Sequence, residues 1–285
     1  MRIGILHPGA MGASIGLSLL ASAHEVGWVS DGRSADSHNR AKQFEEFATL
    51  DDMSSWADGI ISVCPPDAAI AQAQAVYATA FDGLYVDANA IAPHSAKDIA
   101  QIFGAGAYVD GGIIGPPALS AGTTRLYLSG QHSARVASWF SQGFLEAIAL
   151  PESDHANSAV AASALKVAYA AHSKGSSALL LAVNALAASS GISEALKAEW
   201  DISQPGLNHR SEITANVTSP KAWRFAGEML EISETFKAQG LSGDFHQGAA
   251  DIFASMADLK DQPDADLDQV IAQILGSREG SDSES

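Results

Sequence analysis

Lys166 stands in a stretch from Ala159 to Ala188 dominated by alanine and leucine, and the 3.6-residue period puts Lys166, Tyr169, Ser173 and Lys174 on one broad helical face. An ammonium carried into packed protein is costly without a partner. Desolvation lowers its pKa toward the range in which it both gives and takes a proton near neutral pH. Lys166 is therefore a candidate general acid/base, donating to the oxygen of a carbonyl as it is reduced. Tyr169 is either a second proton donor or a core aromatic. Lys174 is either a binder of a substrate carboxylate or phosphate or an ordinary helix lysine.

Reduction of a carbonyl needs a hydride donor, and the start of the chain carries a turn suited to one. Arg2 to Leu6 reads as a short apolar strand, followed by His7-Pro-Gly9-Ala10-Met11-Gly12 and the helical run Ala13 to Ser22. Strand, glycine turn and helix in that order are the setting of the dinucleotide fingerprint G-x-G-x-x-G, here with His7 in place of the first glycine. Gly9 lets the backbone approach a pyrophosphate, the N–H groups at Ala10 and Met11 meet its charge, and Gly12 allows close packing of helix on strand. Cofactor preference is set where the second strand ends, at Ser30-Asp-Gly-Arg33-Ser34. Arg33 with the hydroxyls of Ser30 and Ser34 suits the 2′-phosphate of NADP, whereas Asp31 suits the ribose diol of NAD. NADP is favoured and NAD stays open. Cys64 and Pro65, at the end of the strand Gly59 to Val63, join the expected cofactor contacts.

These residues need a scaffold. Strands are expected at Arg2–Leu6, Val26–Val29, Gly59–Val63, Leu84–Val86, Ala107–Val109 and Arg125–Ser129, with helices between them and a weak third unit near Ala48–Leu50. Such alternation specifies an α/β doubly wound, mostly parallel sheet of the Rossmann type. From Asn157 onward only helices are expected: Ser158–Ser189, Ser193–Ile202, Ser219–Gln239, His246–Leu259 and Asp266–Leu275. The expected organisation is a cofactor-binding domain over 1–152, an all-α domain over 153–275 and a polar tail over 276–285.

The 285 residues carry 33 acidic against 16 basic side chains, a formal charge of −17, which argues against nucleic acid and anionic membranes as partners. The lone Cys64 forms no intrachain disulfide and fits a reducing cytoplasm, and the N-terminus enters a strand without the pattern of a signal peptide. No His, Cys and carboxylate grouping has metal-ligand spacing, so no metal is expected. The alanine-rich face of Ala159–Ala188 is longer than one small domain covers, which points to a homodimer.

Taken together, the segments resemble the 6-phosphogluconate dehydrogenase and β-hydroxyacid dehydrogenase superfamily over nearly the whole chain, closest to a branch with a short phosphogluconate dehydrogenase-like C-terminal domain. Pro-Gly-Ala-Met-Gly12 matches the family turn G-x-G-x-M-G apart from His7. Asp87-Ala-Asn89-Ala-Ile-Ala-Pro93 is similar to the segment whose polar residue faces nicotinamide and substrate, a role the resemblance gives to Asn89. Asp110-Gly111-Gly112-Ile-Ile114-Gly115-Pro116-Pro117 occupies the place of the D-A-P-V-S-G-G substrate loop, with Ile114 where the serine stands and Pro116 where the second glycine stands. The resemblance implies that the amides of Gly111, Gly112 and Gly115 meet an anionic substrate. Ser163-Ala-Leu-Lys166 resembles the G-x-x-x-K-x-x-N helix, which makes Lys166 the catalytic lysine; Tyr169 and Ala170 stand where its asparagine is expected. Trp223–Leu230 and Gly243–His246 resemble the segments that close the helical domain. In this superfamily the active site commonly lies in the cleft between the two domains.

Three functions fit this reading. The first is an NAD(P)H-dependent oxidoreductase acting on a small hydroxy or oxo acid with Lys166 as proton carrier. The second is an imine reductase, although such enzymes typically place Asp or Tyr at the lysine position. The third is a cofactor-binding sensor without turnover.

Overall fold

The computed structural model describes residues 1–279 apart from 153, 156, 261 and 263. The first part of the chain alternates as β1 (Arg2–Leu6), α1 (Ala10–Ala21), β2 (Glu25–Val29), α2 (Ala35–Ala41), β3 (Glu45–Phe47), α3 (Leu50–Trp56), β4 (Gly59–Ser62), α4 (Ala69–Ala78), β5 (Leu84–Asp87), α5 (Pro93–Phe103) and β6 (Tyr108–Ile114). It then adds β7 (Thr124–Ser129), α6 (Ser133–Ala137) and β8 (Leu145–Ala149). Helices follow: α7 (Ala161–Ser189), α8 (Ser193–Ser203), α9 (Leu207–Thr218), α10 (Ala222–Ala238), α11 (Asp244–Ser255) and α12 (Leu267–Glu279).

The strands form one eight-stranded sheet in the order β3-β2-β1-β4-β5-β6-β7-β8. Strand order reverses between β1 and β4, and ligands of open α/β sheets lie beyond the carboxyl ends of the strands at that switch point. All neighbours are parallel except β6 and β7, which run antiparallel with Asp110 opposite Ser129. The apolar strands are covered on both faces. Ile3, Ile5, Ile15, Leu19 and Trp28 pack in one layer, and Ile60, Tyr85, Ile99 and Val76 in the other. The α/β reading with a helical C-terminal region is what the structure has.

Some local expectations shift. The third strand is Glu45–Phe47, just before the expected Ala48–Leu50, because the Thr49 hydroxyl caps α3 by accepting the N–H of Asp52. The loop expected after Val109 is strand as far as Ile114, held by pairing with β7 and ended by Gly115 at φ 125°. Strand β8 and helices α6 and α9 were not expected. Helix α9 is polar, and the residues it buries are Ser211, Ala215 and Thr218, so it has no apolar period to read. The structure follows the chain to Glu279 within α12; the remainder of the expected tail, 280–285, lies outside the described residues.

Two compact units divide within α7, at Val167 and Ala168. In the second unit α10 and α11 pack through Met229, Ile232, Ala249 and Phe253, and the Ser233 hydroxyl donates to the Gly243 carbonyl at 3.0 Å. Among the described residues no helix is long and apolar enough to cross a membrane. Trp28, fully buried against the edge of the His38 ring, anchors the first layer. Trp28→Ala is expected to cost about 3–5 kcal/mol in urea unfolding, the usual penalty for an aromatic-sized core deletion. A loss below about 1 kcal/mol would contradict that packing.

Candidate functional site

At the end of β1 the chain turns through His7 in the left-handed conformation, φ 63°. That is the geometry a glycine normally supplies, so the turn persists although its first glycine is absent. The Gly9 N–H donates to the His7 carbonyl at 2.7 Å. A Cβ on Gly12 would stand 2.5 Å from the same oxygen, so only glycine allows α1 to start this close to the turn. Helix α1 has no side-chain cap and no acidic residue in its first turn, which leaves the positive end of its dipole, at Gly9, Ala10 and Met11, suited to a phosphate.

Beside the turn, a cavity of about 300 Å³ is lined by Val29, Asp31, Arg33, Thr49 and Gln72, among others. The Nδ1 of His7 and the Nε of Arg33 are both buried and lack a hydrogen-bond partner among the described residues. Burial, and then repulsion from Arg33, lowers the His7 pKa to about 4, so the imidazole is neutral. Ser30 reaches the Phe47 carbonyl at 3.4 Å, and the Ser34 hydroxyl caps α2 by accepting the Ser37 N–H at 3.3 Å. The unpartnered nitrogens and the uncapped helix fit a dinucleotide. Gly9 to Gly12 would hold its pyrophosphate, and Arg33 its adenosine end.

At the carboxyl ends of β4 and β5, Asn89 ties the two strands together. Its Oδ1 accepts the Cys64 N–H at 2.6 Å, and its Nδ2 donates to the Ser62 hydroxyl at 3.1 Å. The Cys64 thiol is buried, and burial raises its pKa. Pro65 follows it and precedes a single 3₁₀ turn, Pro66–Ala68. Asp87, 1% exposed, accepts the Asn89 N–H at 2.9 Å through Oδ1, while its Oδ2 has no partner among the described residues. Burial is the main reason that the Asp87 pKa is pushed up to about 7. The neighbouring Asp110 adds to the rise, while Asn89 and Lys166 oppose it.

Opposite Asp87 in the register lies Asp110, with no solvent exposure. Its Oδ2 accepts the Ser163 N–H at 2.8 Å and the Ser129 hydroxyl at 2.9 Å, and its Oδ1 accepts the Ser163 hydroxyl. The Ser129 oxygen in turn accepts the Ala162 N–H at 3.0 Å. Asp110 thus satisfies the first turn of α7, and burial raises its pKa against these donors. One turn further, Lys166 is half-buried over β6. Burial lowers its pKa to about 8, with Asp87 and then Asp110 pulling it back up.

The expected substrate glycines have structural reasons of their own. Gly111 and Gly112 are buried within β6, and a Cβ on Gly112 would stand 2.4 Å from the Ala162 carbonyl and 3.3 Å from the Lys166 Cβ. Tyr169 is 55% exposed. The Lys174 ammonium is ion-paired with Glu228 and lies 4.8 Å from the centre of the Phe225 ring. Sequence reasoning brought together Lys166, Asn89 and the glycines but missed Asp87, Asp110, Ser129 and Ser163 as a connected set. The signal was present, since Asp87 ends the apolar strand β5, Asp110 stands at the register position beside it in β6, and Ser163 stands one turn before Lys166.

Residues 187–256 match a family model described as a domain of unknown function, DUF1932. No curated protein matches the chain in sequence. Among solved structures, the conserved protein MTH1747, of unknown function and described as similar to 3-hydroxyacid dehydrogenases, superposes with a TM-score of 0.73 at 21% identity, covering 93% of this chain and all of that one. The 3-hydroxyisobutyrate dehydrogenase of Mycobacterium tuberculosis, solved with L-serine, gives 0.70 at 18% identity over 96% of this chain and 98% of its own. An imine reductase from Myxococcus stipitatus, in complex with NAD+, gives 0.55 at 16% identity over 96% and 99%. The chain therefore shares the fold of these dehydrogenase-like solved structures, in line with the resemblance its motifs carry. Its DUF1932 segment spans both stretches whose sequence resembles the closing helices of that fold.

Gly112→Ala tests the close seat of α7 on β6. The added methyl has no room beside the Ala162 carbonyl, so unfolding stability is expected to fall by about 1–3 kcal/mol, as overpacking does. Unchanged stability would mean that the helix start is not held where it is described.

Proposed function

We propose that the protein is an NAD(P)H-dependent oxidoreductase acting on a small hydroxy or oxo acid, with Lys166 as proton donor and acceptor. The observation that carries this is a half-buried lysine held near neutral pKa beside two buried carboxylates, in the unit that also holds an uncapped helix and a glycine turn. When bound, the nicotinamide supplies or accepts the hydride. Lys166 gives its proton to the carbonyl oxygen in reduction and takes the hydroxyl proton in oxidation. Asn89 and Asp87 hold the ends of β4 and β5, beside which the nicotinamide ring would lie.

Arg33, whose Nε is without a partner among the described residues, supports NADP as the preferred cofactor, although Asp31 lines the same cavity. Imine reduction is the second reading. Ile114 occupies the place of the superfamily's carboxylate-binding serine, which removes a donor an acid substrate would use. In this proposal the cofactor falls to residues 1–152 and self-association to the helices of 153–275. Leu179 and Leu186 on α7, with Ile213 and Val217 on α9, are exposed apolar residues that a second copy would cover. The lone buried cysteine supports a reducing, cytoplasmic setting.

Lys166→Ala is expected to lower turnover about 100- to 10,000-fold, the worth of a general acid/base, with NADPH affinity unchanged. Full activity in that variant would remove the lysine from the mechanism. NADPH binding without oxidation across a panel of oxo acids and imines would favour a sensor. Because reduction needs the ammonium, its rate is expected to be highest below about pH 8 and to fall as pH rises through Lys166's pKa, while oxidation rises over the same interval. A reduction rate flat from pH 7 to about 9.5 would contradict that assignment. Light scattering at micromolar concentration is expected to give a dimer; a monomer would reject the self-association.

A further inference from the structure

We propose that Asp110 is a positioning residue for Lys166, fixing through Ser129 and Ser163 the first turn of the helix that carries it. The proposal rests on the reading of Lys166 as the proton carrier, but the placement it describes stands apart from turnover.

The geometry is a closed set of contacts. Both oxygens of one fully buried carboxylate are engaged by the start of α7. Ser129 on β7 serves twice, donating to Asp110 and accepting the Ala162 N–H, so β6, β7 and α7 meet at one point. Gly112, two residues beyond Asp110 on the same face of β6, lacks the Cβ that would strike Ala162, and its backbone lies against the root of Lys166. The helix can therefore neither slide along β6 nor rotate about its own axis without breaking charge-assisted hydrogen bonds of the strong kind. Lys166 follows Ser163 by one turn, so fixing Ser163 fixes the direction of the lysine stem.

Charge follows from placement. The charged groups acting on Lys166 are Asp87 on β5 and Asp110 on β6, and both favour its ammonium. Asp110 is already matched by the positive end of α7 and its serine donors, so its pull is partial. Asp87 has an oxygen without a partner among the described residues and pulls harder, consistent with its larger effect on Lys166. Asp110 sets where the lysine stands, and the two aspartates together oppose the burial that would otherwise strip its proton.

The test is the proton affinity of Lys166 itself. Reductive methylation of the full-length protein with ¹³C-formaldehyde places a reporter on each lysine, and its titration is followed by NMR, with the Lys166 resonance assigned from Lys166→Arg. Asp110→Asn keeps the size of the side chain but removes the charge and replaces one of its two acceptor oxygens by an NH2 donor. The Lys166 midpoint is expected to fall by about one pH unit, the low end of a nearby opposite charge, and its resonance to broaden, while NADPH affinity stays within twofold of the parent. Ser163→Ala, which removes one donor and keeps the charge, is expected to shift the midpoint from the parent value and decides the matter alone if Asp110→Asn does not fold. A Lys166 resonance and titration superimposable on the parent's in whichever of these variants fold would overturn the proposal. If the titration shifts as expected but Lys166→Ala retains turnover, the positioning stands and the catalytic reading fails.

Discussion

Beneath the first turn of α7 lies a carboxylate with no access to water. A bare carboxylate in such a place would cost several kcal/mol, and Asp110 persists because both its oxygens are engaged, by two serine hydroxyls and a backbone N–H, at the positive end of a long helix. Much else near the site follows from that arrangement. The antiparallel pairing of β6 with β7 brings Ser129 opposite Asp110, the missing Cβ of Gly112 lets the helix approach, and Lys166 emerges one turn later over the sheet. Burial lowers the proton affinity of the lysine beside them, and Asp87 and then Asp110 pull it partly back.

The same logic runs through the carboxyl ends of β4 and β5. Asn89 bridges Cys64 and Ser62, which fixes the strand ends that a dinucleotide would run across. At the other side of the switch point the turn after β1 holds its shape by a different means. His7 accepts a left-handed backbone that usually costs a non-glycine residue about 1 kcal/mol or more, and Gly12 makes the close approach on which the turn depends. The fingerprint is therefore degraded in sequence and intact in backbone.

Much of this was legible before any coordinates. The strand–turn–helix opening, the alternation through Val109 and the long alanine-rich helix each have a strong local signature, and each is present. Lys166 was visible because a lysine on an alanine face has few inexpensive explanations. Asp110 and Ser163 were visible as letters but not as a pair, since 53 residues separate them and only the sheet brings them together. Gly111 and Gly112 read as amides free for an anion; inside a buried strand, Gly112 is explained first by the backbone it must touch. Lys174 read as a possible anion binder, and its engagement with Glu228 depends on a helix packing that no periodicity specifies. Helix α9 escaped because its buried face is made of serine, alanine and threonine.

In the proposed reaction the cofactor turn and Lys166 act on one substrate. A crystal structure with NADPH tests it most directly. The pyrophosphate is expected on the amides at Gly9 to Gly12 and the nicotinamide C4 near the Lys166 Nζ, with room for one carbonyl about 3–3.5 Å from C4, the separation of a near-attack geometry. A nicotinamide ring bound away from Lys166, with another ionisable side chain at C4, would contradict it.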